Sequence, residues 1–243
     1  MSNDIVNHDG RSMLVRNYLR AQDNAESVPL PVIRNKQTGL APTYFPARVE
    51  GGVGASMLGL MLSHFSGEQP LVIQIGGLKS WAYRDLSDDR FVHLKEVEEE
   101  NLIAAVLDHR MAEENIERPA IIEFEQALPR EAIECARWLA ERLDGFVMFC
   151  PIASRQDREF KFLARAREAG VHSILPLRQY GLGRQKSDEI LRVPLVPAFI
   201  VEWLQHKAAH LGYVLDNCER PVEAAMFADE LQTFRNEIIR RMR

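Results

Sequence analysis

Residues 49–56 read VEGGVGAS, and three of these eight positions are glycine. An apolar run, Met57–Leu62, follows directly. Glycine lets the backbone bend tightly and aim its N–H groups at one point, and a helix N-terminus adds partial positive charge there. The stretch therefore predicts an anion-binding loop that leads into a helix from about Ala55 to Phe65. The alternative interpretation is a glycine-rich turn before a core helix.

The loop departs from a complete phosphate-binding motif at the position that carries charge. The full pattern is G-x-x-x-x-G-K-[ST]. Gly54 and Ser56 occupy the second glycine and the hydroxyl position. Val49 replaces the first glycine, and Ala55 replaces the lysine. The sequence thus retains a glycine-rich backbone and lacks the cation that would bind a phosphate.

Residues 50–56, EGGVGAS, resemble the loop K-G-G-x-G-K-[ST] of the ParA/MinD family of deviant P-loop ATPases. Glu50 and Ala55 stand where the family has its two lysines. In that family the first lysine reaches across a dimer to the partner's nucleotide, and the second holds the phosphates. The resemblance implies a P-loop NTPase-like three-layer fold, ATP with Mg²⁺ as a weakly bound ligand, and a homodimer as one assembly. The nucleotide-contacting positions that it implies are Gly51, Gly52, Val53, Gly54, Ala55, Ser56 and, on a later strand, Glu123.

The resemblance also implies acidic residues near the phosphates, and these are mostly missing. The second predicted strand, Leu71–Ile75, is followed by two glycines, and Gln74 and Gly76 match the family's acidic positions. A later apolar strand, Pro119–Glu125, resembles the family pattern I-I-D-T-P, with Glu123 in place of the aspartate. We therefore expect Glu123 at a remnant site and no catalytic residue.

Segments with strand and helix patterns alternate along residues 43–243, which predicts an α/β domain with a mostly parallel β-sheet flanked by helices on both faces. Residues 1–42 are predicted to form an N-terminal helix and a proline-containing extended arm. Pro46 lies in the first predicted strand and cannot donate a ladder hydrogen bond, which argues against a central position for that strand.

Composition limits the classes of function. The chain has 243 residues, 46% of them apolar and 27% charged, which are ordinary values for a globular protein. Its net charge of −5 argues against a general nucleic-acid binder. The three cysteines form no C-x-x-C pair, and no apolar run is long enough for a signal peptide or a membrane span. We expect a cytoplasmic protein without a metal site or disulfides.

Three functional hypotheses follow. The first is a pseudo-ATPase that acts as an adaptor or scaffold through protein partners in a multi-protein assembly. The second is a weakly active ATPase or GTPase in plasmid or cellular segregation or conjugation, with a lysine supplied by Lys79 or Lys36. The third is a DNA-associated segregation factor that uses the basic region 155–192, around Arg155 and Arg158.

One pair of histidines has the spacing of a metal site. His206 and His210 are four residues apart, and the pattern places both on one helix from about Ala198 to Leu211. No third ligand is evident nearby, so ordinary surface histidines are the expectation.

Overall fold

The computed structural model describes residues 41–48, 54–66, 70–77, 80–84, 86–95, 97–124, 130–143, 145–150, 163–171, 174–179, 190–207 and 210–242. The predicted N-terminal helix and nearly all of the predicted arm lie outside these residues. So do residues 49–53 of the glycine-rich stretch.

The described strands form a seven-stranded sheet, and all of their pairings are parallel. The strands are β1 (Thr43–Arg48), β2 (Leu71–Ile75), β3 (Phe91–Leu94), β4 (Ala120–Phe124), β5 (Gly145–Cys150), β6 (Ile174–Gln179) and β7 (Leu191–Val193). Their order across the sheet is β3-β2-β4-β1-β5-β6-β7. The predicted α/β class with a parallel sheet is confirmed.

The helices cover both faces of this sheet. They are α1 (Ala55–Phe65), α2 (Glu99–Arg110), α3 (Arg130–Leu143), α4 (Ala198–Lys207), α5 (Leu211–Asn217) and α6 (Pro221–Met242), with a further helical segment at 163–168. Short 3-10 turns lie at Trp81–Tyr83 and Glu113–Asn115. The helix predicted from Ala55 to Phe65 is confirmed at both ends.

Alternate strand residues pack into two separate apolar clusters. Tyr44, Val72 and Ile121 pack with residues of α1, α4, α5 and α6 on one face, which we call the α1 face. Their sequence neighbours, such as Phe45 and Ile73, pack with residues of α2 and α3 on the opposite face. A strand buried on both faces explains why the sequence of these strands is continuously apolar.

The connections of the chain change direction around β1. From β1 the chain passes through α1 to β2 and then β3, toward one edge of the sheet. It reverses after β3, returns through α2 to β4, which lies between β2 and β1, and continues through α3 to β5 on the other side of β1. Right-handed crossovers therefore place α1 on one face and α2 and α3 on the other. Ligands of open α/β sheets bind at such a switch point, at the carboxyl ends of the strands.

Pro46 lies in the central strand β1, against the expectation drawn from its missing donor. The pairing of β1 with β4 extends only to Tyr44 opposite Ile121. Because the Pro42 carbonyl accepts from the Ala120 N–H at 3.0 Å, even-numbered residues of β1 direct their backbone groups toward β4. The position without an N–H thus falls where the ladder with β4 has already ended. Proline is tolerated in this central strand for that reason, and among the described residues the ladder between β1 and β4 ends before the candidate site.

The last strand of the sheet, β7, ends at Val193 because Pro194 cannot continue the ladder. One predicted element differs in extent from the observed ones. The helix predicted over 198–211 is two helices, α4 and α5, and His210 caps the second of them.

A buried arginine ties together the amino-terminal edge of the sheet. Arg110, at the end of α2, has no exposed surface. Its guanidinium donates to the carbonyls of Ala41 and Asn115 and to the Thr43 hydroxyl. Burial lowers the pKa of Arg110 to about 10. This fork holds the entry to β1 against the segment before β4, at the edge away from the candidate site.

Candidate functional site

The helix α1 begins at a glycine that requires a special backbone conformation. Gly54 is the N-cap residue and has a φ of 85°, in the left-handed region that favours glycine. Its carbonyl accepts the first helical hydrogen bond, from the Leu58 N–H at 2.8 Å. The side chain of Ala55 is buried, with 2% of its surface exposed. The predicted transition from the glycine-rich stretch into a helix is thus present, with a small apolar side chain at the lysine position.

Ser56 and Glu123 meet at this end of the sheet. The Ser56 hydroxyl donates to Oε1 of Glu123 at 2.6 Å. Glu123 lies near the carboxyl end of β4, faces α1, and is fully buried. A buried carboxylate requires partners, and the serine supplies one of them.

Tyr83 supplies a second partner that sequence reasoning missed. Its hydroxyl donates to Oε2 of Glu123 at 2.6 Å, and its side chain is also buried. Both bonds lie at the short end of the range for hydrogen bonds between two oxygen atoms. The two oxygens of Glu123 are therefore each engaged by a hydroxyl, one from α1 and one from the 3-10 turn after β2.

Gly59 provides the space that Tyr83 occupies. A Cβ atom at this position of α1 would lie 1.9 Å from the Tyr83 hydroxyl oxygen. Glycine inside a helix costs about 1 kcal/mol relative to alanine, so its presence calls for a packing reason. Because Gly59 has no side chain, the helix and the phenol of Tyr83 can lie close together. That unexplained glycine within an apolar helix was the one sequence signal that pointed to a close contact here.

Gln74 lies beside Glu123 and anchors the segment that carries Tyr83. The two residues are directly opposite each other in the pairing of β2 with β4. Gln74 is fully buried, and its Oε1 accepts from the Ser80 N–H at 2.9 Å. The position that matches an acidic residue in the ParA/MinD pattern thus holds a neutral amide, and this amide binds the backbone of the protein itself.

The described side chains do not fit a complex of ATP with Mg²⁺. Ala55 offers no charge, and the Ser56 hydroxyl and the Glu123 carboxylate are bonded to each other. Tyr83 engages the remaining carboxylate oxygen. Among the described residues, no group of three histidine, cysteine, aspartate or glutamate side chains could hold a metal ion.

The predicted pairing of His206 and His210 on one helix is wrong. His206 belongs to α4, whereas His210 precedes α5 and caps it. The Nδ1 atom of His210 accepts from the Tyr213 N–H at 3.0 Å. One of the two imidazoles therefore has a local structural role, and the pair does not share a helix face.

Several predicted site residues lie outside the described part of the chain. They are Glu50, Gly51, Gly52 and Val53 of the loop, the alternative lysines Lys36 and Lys79, and Arg155 and Arg158 of the basic region. The predicted site residues that the structure describes are Gly54, Ala55, Ser56 and Glu123.

Comparison with protein families and curated sequences identifies no relative, so the proposed function rests on the site. No model of a protein family matches the chain, and no curated protein sequence matches it significantly. In the described residues, no helix is long and apolar enough to cross a membrane.

Proposed function

We propose that this chain is a P-loop-type protein related to the ParA/MinD ATPases that has lost hydrolysis and works as an adaptor or scaffold through protein contacts. The observation that carries the proposal is the bonding of Ser56 and Tyr83 to Glu123. The hydroxyl and the acid that would serve a nucleotide are satisfied by each other and by a tyrosine. In this closed arrangement the site ties α1 and the turn after β2 to β4.

The position of this cluster supports the proposed ancestry. Ser56 is in the first turn of the helix that follows β1, and Glu123 lies near the end of the neighbouring strand β4. The connections that leave β1 and its neighbour β4 run in opposite directions across the sheet, and ligands bind at such a switch point in open α/β sheets. A serine and an acid brought together there fit a nucleotide site that has been converted to an internal contact.

The chemistry of the remaining residues supports the loss of hydrolysis. Phosphoryl transfer depends on positioning and on charge stabilisation by lysine and Mg²⁺. Ala55 supplies no charge, and the buried amide of Gln74 has no carboxylate to orient a water molecule. Ala55 and Gln74 are both uncharged, and they stand at positions where phosphoryl transfer requires a charged side chain.

Exposed aromatic and apolar side chains support a role in protein contacts. Trp138 on α3 is partly exposed, and the Arg142 guanidinium lies 3.9 Å from the centre of its ring. Tryptophan and arginine are the residues most enriched at the energetic centres of protein interfaces. Val222 and Met226, one turn apart on α6, are more than half exposed. These positions offer apolar contact surface away from the Glu123 cluster.

Phosphate release from ATP with Mg²⁺ tests the proposal and its ATPase alternative together. We expect no release above a protein-free control. Turnover of about 0.01 per second or faster, a rate typical of a slow GTPase, would overturn the proposal. Gly54→Asp is the control variant, because a carboxylate at the helix N-terminus would oppose phosphate binding and should abolish any genuine activity. Activity that survives this change would come from a contaminating enzyme.

A further inference from the structure

The segment from Ser80 to Arg84, which we call the strap, crosses from the end of β2 to the α1 face. It begins after Gly76 and Gly77, both of which have positive φ angles, of 77° and 58°. Its first residue is held by Gln74, and Tyr83 reaches Glu123. Its last residue donates from the guanidinium Nη1 to the carbonyl of Gln205 in α4, at 3.0 Å. The strap thus connects β2, β4, α1 and α4 on one side of the sheet.

The described backbone hydrogen bonds of the strap are long, whereas its tyrosine makes a short bond to Glu123. The backbone hydrogen bonds of Tyr83, Arg84 and Leu86 to residues three positions earlier are all 3.3 Å long. Backbone bonds of ordinary strength are about 2.9–3.0 Å long. The Tyr83 hydroxyl donates to Glu123 at 2.6 Å, a short bond between two oxygen atoms. Removing it should release the segment preferentially, since the described backbone bonds of the segment are long.

We propose that the strap is an autoinhibitory segment that closes the site proposed above. In the closed state, the Tyr83 side chain fills the recess left by the missing side chain at Gly59. Closed, it places a phenol on the one carboxylate oxygen that Ser56 does not use. Open, it would expose Glu123 and the start of α1 to a ligand. The two glycines with positive φ at its base provide the hinge, because glycine changes backbone conformation at little cost. This inference rests on the proposed function, since it describes regulation of the same site.

The steric fit at Gly59 gives a variant that opens the strap without altering its bonding groups. In Gly59→Ala the new methyl group would lie 1.9 Å from the Tyr83 oxygen, so the phenol must leave the recess. Gly212→Ala in α5 is the matched control, because there the nearest atoms would lie at 3.5 Å, an ordinary contact. Tyr83→Phe is a second variant that removes the bond to Glu123 and introduces no clash.

Hydrogen–deuterium exchange on the full chain, without nucleotide, measures the opening. We expect the amides of Ala82, Tyr83, Arg84 and Leu86 to exchange at least about tenfold faster in Gly59→Ala and in Tyr83→Phe, after division by the change at the β4 amides. The β4 amides report global unfolding. Strap amides that change only in step with β4 in Tyr83→Phe would overturn the proposal, whether or not Gly59→Ala folds. Gly212→Ala should leave the ratio unchanged, and an equal effect there would also overturn it.

Calorimetry with ATP and Mg²⁺ tests whether the strap inhibits the site. Tyr83→Phe is added to a double variant, Glu50→Lys with Ala55→Lys, that restores the two missing lysines. We expect a further gain in affinity of about fivefold or more. No further gain, where the lysines alone increase affinity, would overturn the inhibitory role. If the lysines give no affinity at all, the proposed P-loop ancestry fails, whereas the exchange experiment still decides whether the strap opens.

Discussion

The hydroxyl of Tyr83 and the backbone of Gly59 approach so closely that no side chain fits between them. A Cβ atom on Gly59 would lie 1.9 Å from the phenolic oxygen. The same oxygen donates to Glu123 at 2.6 Å. A helix interior without a side chain, a tyrosine from the turn after β2 and an acid from β4 therefore form one unit, and each part constrains the others.

Loss of the Tyr83 hydroxyl should destabilise the fold. Tyr83→Phe leaves one oxygen of a fully buried carboxylate with one partner fewer, and an unsatisfied buried polar group costs about 1–3 kcal/mol. Urea unfolding followed by far-UV circular dichroism measures the difference. Tyr213→Phe is the control, because Tyr213 is about half exposed and should change stability by less than about 0.5 kcal/mol. Equal effects in the two variants would show that the bond to Glu123 contributes nothing specific.

The Ser56 and Tyr83 contacts should be coupled, since they share one carboxylate. We expect Ser56→Ala and Tyr83→Phe together to differ from the sum of the single effects by about 0.5 kcal/mol or more. The double-mutant cycle in urea measures this interaction. Strict additivity would indicate that the two contacts stabilise the fold independently of each other.

Tyr44 offers an opposite case, in which removal of a hydroxyl should be neutral or stabilising. Tyr44 is buried in the cluster on the α1 face, and its hydroxyl has no hydrogen-bond partner among the described residues. Tyr44→Phe should therefore raise the free energy of unfolding by up to about 1 kcal/mol. A loss of more than about 1 kcal/mol in urea unfolding would contradict this and would reveal a partner for the hydroxyl.

The same residue should make stability fall at alkaline pH. Burial raises the pKa of Tyr44 above its ordinary value of 10.0, so the unfolded chain loses this proton first as pH rises. The stabilising effect of the neutral phenol is fully present below pH ~10 and is lost above it, at about 1.4 kcal/mol per pH unit. The difference in unfolding free energy between Tyr44→Phe and the unaltered protein should therefore grow above pH ~10. A constant difference from pH ~8 to ~11 would refute this linkage.

Arg110 should be irreplaceable by lysine. Its guanidinium donates to three neutral acceptors at the amino edge of the sheet, and a lysine ammonium cannot reproduce that fork. Arg110→Lys should cost about 2–3 kcal/mol, because hydrogen bonds from a charged group are lost and their acceptors stay buried. Arg142→Lys on the exposed side of α3 is the control, with an expected change below about 1 kcal/mol. If thermal or urea unfolding shows the same loss of stability in the two variants, the three bonds of Arg110 do not have this stabilising role.

Local patterns predicted the elements of this fold well, and long-range relationships escaped them. The limits of α1 follow from glycine, helical periodicity and a terminal turn, all of which are local. Glu123 was identified because the strand that carries it resembles the family pattern I-I-D-T-P. Tyr83 was missed because its role depends on the packing of the turn after β2 against α1 and Glu123, and neither relationship is visible along the chain.

At Pro46 and His210, a local rule led to a wrong expectation. The rule that excludes proline from central strands was applied correctly to Pro46, but the ladder on its donor side had already ended. His210 was assigned to a helix by spacing, whereas its imidazole starts a new one. Tertiary context decided both cases.

Restoring the two lysines tests whether the start of α1 is still an anion site. The unaltered protein should bind ATP with a dissociation constant of about 1 mM or weaker, roughly −4 kcal/mol or less, because Ala55 is uncharged and Glu50 adds a negative charge to the loop. Glu50→Lys with Ala55→Lys removes a repulsive charge and adds a charge-assisted hydrogen bond. This should strengthen binding by about 2–3 kcal/mol.

The buried setting of Ala55 dictates the control for that experiment. With 2% of its surface exposed, the side chain can be enlarged only if the new chain extends toward the ligand, which lysine can do by directing its ammonium outward. Glu50→Lys with Ala55→Met has a similar volume without the ammonium, and it should bind ATP more weakly than the double-lysine variant. Hydrolysis should stay slow in both, because Gln74 supplies no acid to position water. If the double-lysine variant folds normally and calorimetry shows no gain over the methionine control, the glycine-rich stretch is only a turn before α1.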